Sequence, residues 1–256
     1  MGVIIAVMNN KGGVGKTTLT VNLGHALAAR KKRVLAVDLD SQCNSSRTLV
    51  DPAIVDKCLY EFLENSKTPA AQCIYPTVYE NFYVLPNSEQ TSALELQLIR
   101  QEKYSILKDN LQKYAIEHFD YTFLDCPPNL LFFVLSALLC ANFVIVPVQC
   151  SSHYSMDGLA AAIRLIRDVQ AESNPDLKFL RLLINLVDKR TAISKVMMER
   201  IRYNFADTEI FETCIPTSTT FAQAELAGQT IIRYAPASSG AKYYRMLADE
   251  FLRILG

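Results

Sequence analysis

The sequence predicts an α/β fold, in which a doubly wound, mostly parallel sheet carries helices on both faces. Short apolar runs with the length of strands alternate along the chain with stretches of helical periodicity, and this alternation is typical of right-handed parallel β-α-β units. A glycine-rich loop joins the first predicted strand to the first predicted helix. With 256 residues, of which 50% are hydrophobic, the chain can bury a large core, and we predict one domain over residues 1–256.

The elements follow from the period of the apolar residues. The predicted strands are short apolar runs, several of them rich in β-branched residues, and the predicted helices have apolar residues three or four positions apart with polar ones between. We predict strands at residues 3–8, 33–37, 81–86, 121–125, 141–149 and 179–187, and helices at residues 16–30, 55–64, 88–114, 155–173, 197–205 and 240–255.

The glycine-rich loop has the sequence of a phosphate-binding loop of unusual type. Residues 9–18 read Asn-Asn-Lys-Gly-Gly-Val-Gly-Lys-Thr-Thr. The ordinary pattern, G-x-x-x-x-G-K-[ST], ends here with Gly15, Lys16 and Thr17, but Asn10 stands at its first position. Lys11 adds a second lysine where the ordinary loop needs one. The sequence therefore predicts a deviant phosphate-binding loop.

The setting of this loop fits a polyphosphate ligand with Mg²⁺. An apolar strand leads in, and a helix leads out so that its positive N-terminus faces the phosphates. Glycines let the backbone approach the ligand, Lys16 neutralises its β and γ oxygens, and the Thr17 hydroxyl is placed to bind Mg²⁺. The residues of the loop predicted to bind the cofactor are Gly12, Gly13, Val14, Gly15, Lys16, Thr17 and Thr18.

Acidic residues follow two of the predicted strands. Asp38 and Asp40 come after the strand at 33–37, and Asp125 ends the strand at 121–125 before two prolines. Ligands of open parallel sheets bind at this carboxyl edge. A carboxylate there can orient a water for attack on the γ-phosphate or hold a metal-bound water, and Asp125 has the position of the Walker B acid, which holds Mg²⁺ through such a water.

Composition restricts the remaining function classes. The formal net charge is zero, with 26 basic and 26 acidic residues, so nucleic-acid binding would need a local basic patch. The seven cysteines include no C-x-x-C pair and the three histidines are scattered, which favours reduced structural thiols over metal ligands. The sequence shows neither a basic leader nor 18 consecutive uncharged apolar residues, and we expect a soluble cytosolic protein without an integral membrane segment.

Four runs together resemble the ParA/MinD family of deviant-Walker ATPases. They are Lys-Gly-Gly-Val-Gly-Lys-Thr-Thr from residue 11, Val-Asp-Leu-Asp-Ser-Gln from residue 37, Leu-Asp-Cys-Pro-Pro from residue 124 and Val-Pro-Val-Gln from residue 146. Their order and spacing match along nearly the whole chain, including Ile215-Pro216 and the last helix. The chain most resembles the short, Soj-like ParA proteins, because no helix-turn-helix region precedes the loop. Specific DNA reading by such a domain is not expected.

The resemblance implies a mechanism based on Mg²⁺ and ATP. In the family, ATP closes a sandwich homodimer in which the extra lysine, matching Lys11, reaches the partner's phosphates, and hydrolysis reopens the dimer. The resemblance assigns Lys16 and the loop amides to phosphate binding, and Thr17 and Asp125 to Mg²⁺. It assigns Asp40 to the attacking water, with Asp38 as its supporting acid. Asn185 and Pro216 match the adenine pocket, although either residue could equally be structural.

Three departures from the Soj-like pattern bear on function. Ser41 replaces the usual proline, and Asn-Leu-Leu-Phe-Phe at 129–133 replaces a small, glycine-containing stretch that senses the nucleotide. Residues 217–221 lack the arginines that relatives use to grip DNA. Other cations could contact phosphates without reading sequence; these are Lys189, Arg190, Lys195, Arg200 and Arg202. The alternative is an ordinary solvated helix face, balanced by Asp188 and Glu199.

The sequence favours a ParA-like positioning ATPase. Such a protein binds the nucleoid nonspecifically as an ATP dimer, and a ParB-like or other adaptor stimulates hydrolysis to move a plasmid, a chromosome origin or a protein cargo. One alternative is a MinD-like membrane switch, but the apolar side of residues 241–255 is expected to pack on the domain. Another is a metabolic or redox enzyme such as a dethiobiotin-synthetase-like ligase or the nitrogenase iron protein. Lys11 argues against the ligases, and the cysteine arrangement argues against a bridging iron–sulfur site.

Overall fold

The structure, a computed structural model, describes residues 2–65, 67–150, 154–188 and 190–256. The strands are β1 (Val3–Val7), β2 (Val34–Asp38), β3 (Tyr75–Pro76), β4 (Phe82–Leu85), β5 (Tyr121–Asp125), β6 (Phe143–Gln149) and β7 (Lys178–Asn185). The helices are α1 (Lys16–Ala28), α2 (Asn44–Leu49), α3 (Leu59–Glu64), α4 (Thr91–Arg100), α5 (Lys113–His118), α6 (Phe132–Cys140), α7 (Tyr154–Glu172), α8 (Ala192–Asn204), α9 (Thr219–Leu226), α10 (Ile231–Tyr234) and α11 (Ser239–Leu255).

These strands form one sheet in the order β3-β4-β2-β5-β1-β6-β7. Every pair is parallel except β3 with β4. Because β1, β2 and β5 are parallel neighbours, with β5 between the other two, the loops that follow them lie at one carboxyl edge. The predicted doubly wound, mostly parallel sheet is confirmed.

The core lies on both faces of this sheet. Alternate residues of a strand point to opposite faces, so Ile4 and Ala6 join a cluster with side chains of α3 to α8, whereas Ile5 and Val7 join a second cluster with side chains of α1, α9, α10 and α11. The strands are therefore apolar on both sides, as expected for parallel strands covered by helices.

The single helix predicted over residues 88–114 is wrong. Helix α4 ends at Arg100, Glu102 has a left-handed φ of 54°, and a π-helix at Lys108–Gln112 precedes α5. The reason lies in the phase of the apolar residues. Leu98 and Leu107 are nine residues apart and would lie about 180° apart on a continuous helix, yet both are buried in the same cluster. The break brings them to one side.

Several elements were not predicted from the sequence. They are α2, β3, α6, α9 and α10. Helix α6 is buried nearly all round, so its residues lack the apolar–polar period that marks an amphipathic helix. Helix α8 begins five residues before the predicted start at 197, because Thr191 caps it by accepting the N–H of Ser194 at 3.3 Å.

Candidate functional site

The glycine-rich loop joins β1 to α1 at the carboxyl edge. Gly13 and Gly15 have left-handed φ values of 74° and 87°, which other residues adopt only at a cost. A Cβ atom at Gly13 would meet nothing within 4 Å, but one at Gly15 would lie 2.2 Å from Nδ2 of Asn185. The loop is thus open on one side and in close contact with β7 on the other.

Side-chain amides hold the loop backbone at both ends. Asn9 accepts the N–H of Lys11 at 3.0 Å and donates to the carbonyl of Pro147 in β6 at 2.8 Å. Asn185, at the end of β7, donates to the carbonyl of Val14 at 2.8 Å. The loop is therefore tied to two strands of the sheet.

Lys16 begins α1 and is 7% exposed. Its Nζ donates to the carbonyl of Lys11 at 3.3 Å. Burial lowers the pKa of this amine, while the nearby Asp125, Cys126 and Asp40 favour its charged form. The ammonium group lies where the loop begins to turn, between the backbone and the acids of the edge.

Asp38 and Asp125 are directly paired neighbours in β2 and β5, and both are fully buried. One oxygen of Asp38 accepts the N–H and the hydroxyl of Ser46 at 2.8 and 2.6 Å, and the other accepts the N–H of Asp40 at 3.2 Å. Burial, and then the charge of Asp125, raise the pKa of Asp38 to about 7. Two acids are thus held side by side away from solvent.

Asp125 offers an oxygen to a cation. Its Oδ2 accepts the hydroxyl of Ser45, and the neighbouring hydroxyl of Thr17 favours the charged form of this carboxylate. Burial raises the pKa of Asp125 to about 6. Among the described residues, its buried Oδ1 has no hydrogen-bond partner. A buried carboxylate oxygen beside a threonine hydroxyl fits Mg²⁺, which prefers oxygen ligands.

Asp40 lies at the rim of this group and is half-buried. Its Oδ1 accepts the N–H of Gln42 at 3.0 Å, and its own N–H is held by Asp38. The turn that carries Asp40 is therefore fixed by its neighbour, and the carboxylate has access to solvent. This geometry suits a group that orients a water molecule, which stays a prediction.

The structure brings Asn185 and Pro216 to the same edge. Asn185 is buried, and its side chain contacts the loop. Pro216 forms a parallel bridge with Val187, which lies two residues after Asn185. The amide of Asn185 is thus used on the loop backbone, while Pro216 stands beside it. Their adenine contacts stay predictions.

The basic residues near α8 do not form one face. Lys189 lies outside the described residues. Arg190 is paired with Asp188 at 2.8 Å, and this pairing lowers the pKa of Asp188 to about 2. Lys195 and Arg202 are exposed and, being seven residues apart, share a face of α8, whereas Arg200 lies about 140° around the helix from Lys195.

Sequence reasoning missed Asn9, Ser45 and Ser46, which hold the loop and the two buried acids. The signal for the serines was present, since two adjacent small hydroxyl residues follow the Asp-x-Asp run within one short helix. Nothing in the spacing of Asn9 separates it from Asn10, its neighbour in the chain.

The last helix packs on the sheet. Tyr244, Leu247 and Phe251 of α11 are fully buried in the second core cluster, and Leu255 is partly buried against it. Searching the described residues for helices long and apolar enough to cross a membrane finds none.

A phosphate loop after β1, with acids ending β2 and β5 of a parallel sheet, defines a P-loop nucleoside triphosphatase. A family model described as AAA domain matches residues 2–179. The chain is 36% identical to the sporulation initiation inhibitor protein Soj of Bacillus subtilis, with 98% of each chain covered. It is 33% identical to the chromosome partitioning protein ParA of Myxococcus xanthus, covering 99% of this chain and 89% of that one. The chain belongs to the ParA/MinD family of P-loop ATPases, near its Soj-like ParA members.

Solved structures agree with this assignment. The chain superposes on a protein named cobyrinic acid a,c-diamide synthase, from Mycobacterium smegmatis with bound ADP and magnesium, with a TM-score of 0.83 and 33% identity over 99% of this chain and 95% of that one. It superposes on the cell division ATPase MinD of Pyrococcus furiosus with a TM-score of 0.78 and 26% identity over 99% of both chains. The family resemblance and the fold predicted from the sequence are confirmed.

Proposed function

We propose that this chain is a Mg²⁺-dependent ATPase of the ParA kind, acting as one domain over residues 1–256, which partitions or positions DNA or protein cargo. The observation that carries the proposal is the convergence of a two-lysine phosphate loop with the buried acids of β2 and β5. The relatives named for chromosome partitioning support the same conclusion.

The loop binds the polyphosphate of ATP in this proposal. The amides of Gly12 to Thr18 face the phosphates at the N-terminus of α1, and Lys16 supplies the opposing charge. The hydroxyl of Thr17 and the carboxylate of Asp125, whose Oδ1 has no hydrogen-bond partner among the described residues, would hold Mg²⁺. When bound, Mg²⁺ neutralises charge on the β and γ oxygens and so favours attack at the γ-phosphorus.

Asp40 orients the attacking water, and Asp38 fixes the position of Asp40. The N–H of Asp40 donates to Asp38, whose other oxygen is fixed by Ser46. Because both oxygens of Asp38 already accept hydrogen bonds, one from the N–H of Asp40 and the other from Ser46, Asp38 acts through the turn that carries Asp40. Positioning of the reacting groups is, together with electrostatic stabilisation, what the protein supplies in phosphoryl transfer.

Lys11 acts across a homodimer. A cation donated to the partner's phosphates makes the affinity of the dimer and the stabilisation of the transition state depend on the γ-phosphate. The open side of the loop at Gly13 leaves room for such an approach. Hydrolysis then removes the γ-phosphate, on which the contact between the two subunits depends.

The ATP dimer binds DNA without sequence preference and places the protein on the nucleoid, in the cytoplasm. Lys195 and Arg202 share an exposed face of α8, and phosphate contacts need only such cations. They take the part of the arginines that residues 217–221 lack. A ParB-like or other adaptor protein stimulates hydrolysis and links the cycle to its cargo.

Two alternative functions are a membrane-bound switch and a metabolic synthase, and one observation bears on each. A membrane-bound switch needs a helix with a free apolar side, but Tyr244, Leu247 and Phe251 of α11 are buried in the core. A metabolic synthase has in its favour the name of one solved neighbour. An ATPase that turns over with no small-molecule co-substrate, and faster when DNA is present, would contradict that alternative.

Asp40→Ala tests the proposal. We expect this variant to bind Mg²⁺–ATP, to hydrolyse it at least about a hundredfold more slowly, and to accumulate as a dimer that binds nonspecific duplex DNA. Sedimentation and DNA binding with ATP or ADP would be measured over a salt series. Gln42→Ala is the control, because Gln42 lies two residues after Asp40 and its side chain is exposed. Unchanged turnover would remove Asp40 from the mechanism, and absence of DNA binding in both nucleotide states would contradict the nucleoid proposal.

A further inference from the structure

The chain that leads to Pro216 follows β7 irregularly. Ile210 bridges Leu182, and Pro216 bridges Val187, both in parallel orientation. Phe211 donates its N–H to Leu182 at 2.9 Å, but the next such bond to β7 comes from Ile215, to Ile184 at 3.0 Å. Four steps along the segment thus match two along β7, so residues 212–213 form a two-residue bulge.

The bulge is held by Glu250 of α11. Its carboxylate accepts the N–H of Glu212 at 2.7 Å and that of Thr213 at 2.9 Å. Arg181 of β7 lies 3.4 Å from the same carboxylate. Glu250 is only 2% exposed. Two amides that leave the ladder of β7 therefore find their acceptor in one buried carboxylate, whose charge is balanced by an arginine.

The bulge decides which residue reaches the carboxyl edge. Suppose that residues 212 and 213 continued the regular pairing with β7 and that the rest of the pairing were unchanged. Every later residue of the segment would then stand two positions further along β7. Cys214 would then stand beside Val187 in place of Pro216. The contacts of Glu250 with residues 212 and 213 thus set the register of this segment against β7, before the segment reaches the carboxyl edge.

The same helix is also bonded to the C-terminal end of α1. Arg30, just beyond the end of α1, donates to Asp249 at 2.6 Å and to the carbonyl of Arg245 at 2.7 Å. Helix α1 begins at the loop residue Lys16. Helix α11 is therefore fastened both to the helix that presents the phosphate loop and to the segment that presents Pro216.

We infer that Glu250 is a positioning residue for nucleotide-base recognition: by holding the bulge at 212–213, it sets where Pro216 stands relative to the phosphate loop. This rests on the proposed function and on the prediction, made from the family resemblance, that Pro216 belongs to the adenine pocket. Glu250 touches neither base nor phosphate. It acts through the backbone of residues 212–216, so its loss affects binding of the base and spares binding of the phosphates.

Glu250→Gln tests this with two ligands, ATP and inorganic tripolyphosphate, each with Mg²⁺, titrated by calorimetry. The amide keeps one acceptor oxygen and turns an NH₂ group toward the second N–H. We expect ATP affinity to fall about tenfold, the size of one lost charge-assisted hydrogen bond, and tripolyphosphate affinity to stay within about twofold. Amide exchange at 212 and 213 should quicken, with β7 unchanged.

The matched control is Glu117→Gln, the same chemical change on an exposed side chain of α5. It should bind both ligands as the wild type does. ATP affinity unchanged in folded Glu250→Gln, or equal loss of both ligands, would overturn the inference. If Glu250→Gln does not fold, Glu250→Asp replaces it: a selective loss of ATP affinity supports the inference, and equal binding of ATP overturns it.

The outcomes separate this inference from the proposed function. A wild-type protein that binds tripolyphosphate but not ATP would contradict the assignment of an ATP site. The inference instead fails when the wild type binds both ligands and Glu250→Gln does not separate them.

Discussion

The carboxyl edge around β2, β5 and the phosphate loop differs from helix α8 in how its charges are held. At the edge, Asp38 and Asp125 are buried, and each accepts hydrogen bonds from a serine of α2. On α8, Lys195 and Arg202 extend from an exposed face. Fixed groups in a buried site interact strongly, whereas exposed cations are screened by salt. Changes at the edge should therefore act on binding and stability, and changes on α8 on salt-dependent affinity.

The largest effect is expected from Lys16→Ala. Removing the buried ammonium leaves the β and γ oxygens without their counter-charge, and we expect ATP affinity to fall at least about a hundredfold. Calorimetric titration with Mg²⁺–ATP measures it. Lys195→Ala is the control, since it removes a cation of the exposed kind and should leave ATP affinity unchanged. Tight ATP binding by the Lys16 variant would refute the assignment of the loop.

A second strong effect is expected from Ser46→Ala. The change removes a hydroxyl donor from buried Asp38 and leaves the N–H of Asn87, which donates to that hydroxyl at 2.8 Å, without its acceptor. We expect a loss of about 2 kcal/mol in the free energy of unfolding, measured by urea denaturation without nucleotide.

Thr48→Ala on the same helix is the matched control for Ser46→Ala. Its hydroxyl donates to the carbonyl of Asn44 in an exposed position, so the loss should be below about 0.5 kcal/mol. Equal losses of unfolding free energy in the two variants would show that the hydroxyl of Ser46 contributes no more to stability than an exposed hydroxyl on the same helix.

On α8, Lys195→Ala/Arg202→Ala should reduce the salt dependence of DNA binding. Each phosphate contact contributes about 0.9 to the slope of log affinity against log salt, so the slope should fall by about 1.8. Fluorescence anisotropy with duplex DNA would be followed in the ATP-trapped Asp40→Ala background. Arg190→Ala should change the slope less, because Arg190 is already paired with Asp188. An unchanged slope in the double variant would assign DNA binding to another surface.

The smallest effect concerns a buried polar group outside the site. His25 of α1 stacks on Tyr79 with ring centroids 4.1 Å apart and contacts Thr230 Oγ1 at 2.6 Å. Burial, and then Arg245 and Arg233, lower the pKa of His25 to about 4. The unfolded chain takes up this proton near pH 6.5, so the contribution of neutral His25 to stability is complete above pH 6.5 and is lost as the pH falls toward 4.

His25→Gln removes this titration. We expect the urea midpoint of the wild type to fall more steeply between pH 7 and pH 5 than that of the variant. Parallel pH dependence of the two midpoints would mean that His25 is protonated in the folded chain. Burial of a titratable side chain would then not by itself explain why the charges of the carboxyl edge differ from those on the exposed face of α8.

How much the sequence could predict also differs between the two regions. The loop, Asp38, Asp40 and Asp125 were predicted because a chemical requirement fixes residue types at short spacing. The serines of α2 act across the fold, with Ser46 meeting Asp38 and Asn87, and no local period marks such partners. The cations near α8 were grouped by proximity in sequence, but helix geometry separates Arg200 from Lys195, and Asp188 occupies Arg190. Helix α6 was missed because its residues are apolar on every side.

The two amides that tie down the phosphate loop have a consequence for the thermodynamics of ligand capture. Since Asn9 and Asn185 already fix the loop backbone against β6 and β7, the conformational entropy of this segment is lost when the chain folds and not when ATP arrives. The loop is preorganised, and the free energy of its contacts with the phosphates is available for affinity. A nucleotide that binds here therefore meets a loop whose backbone already has its binding conformation.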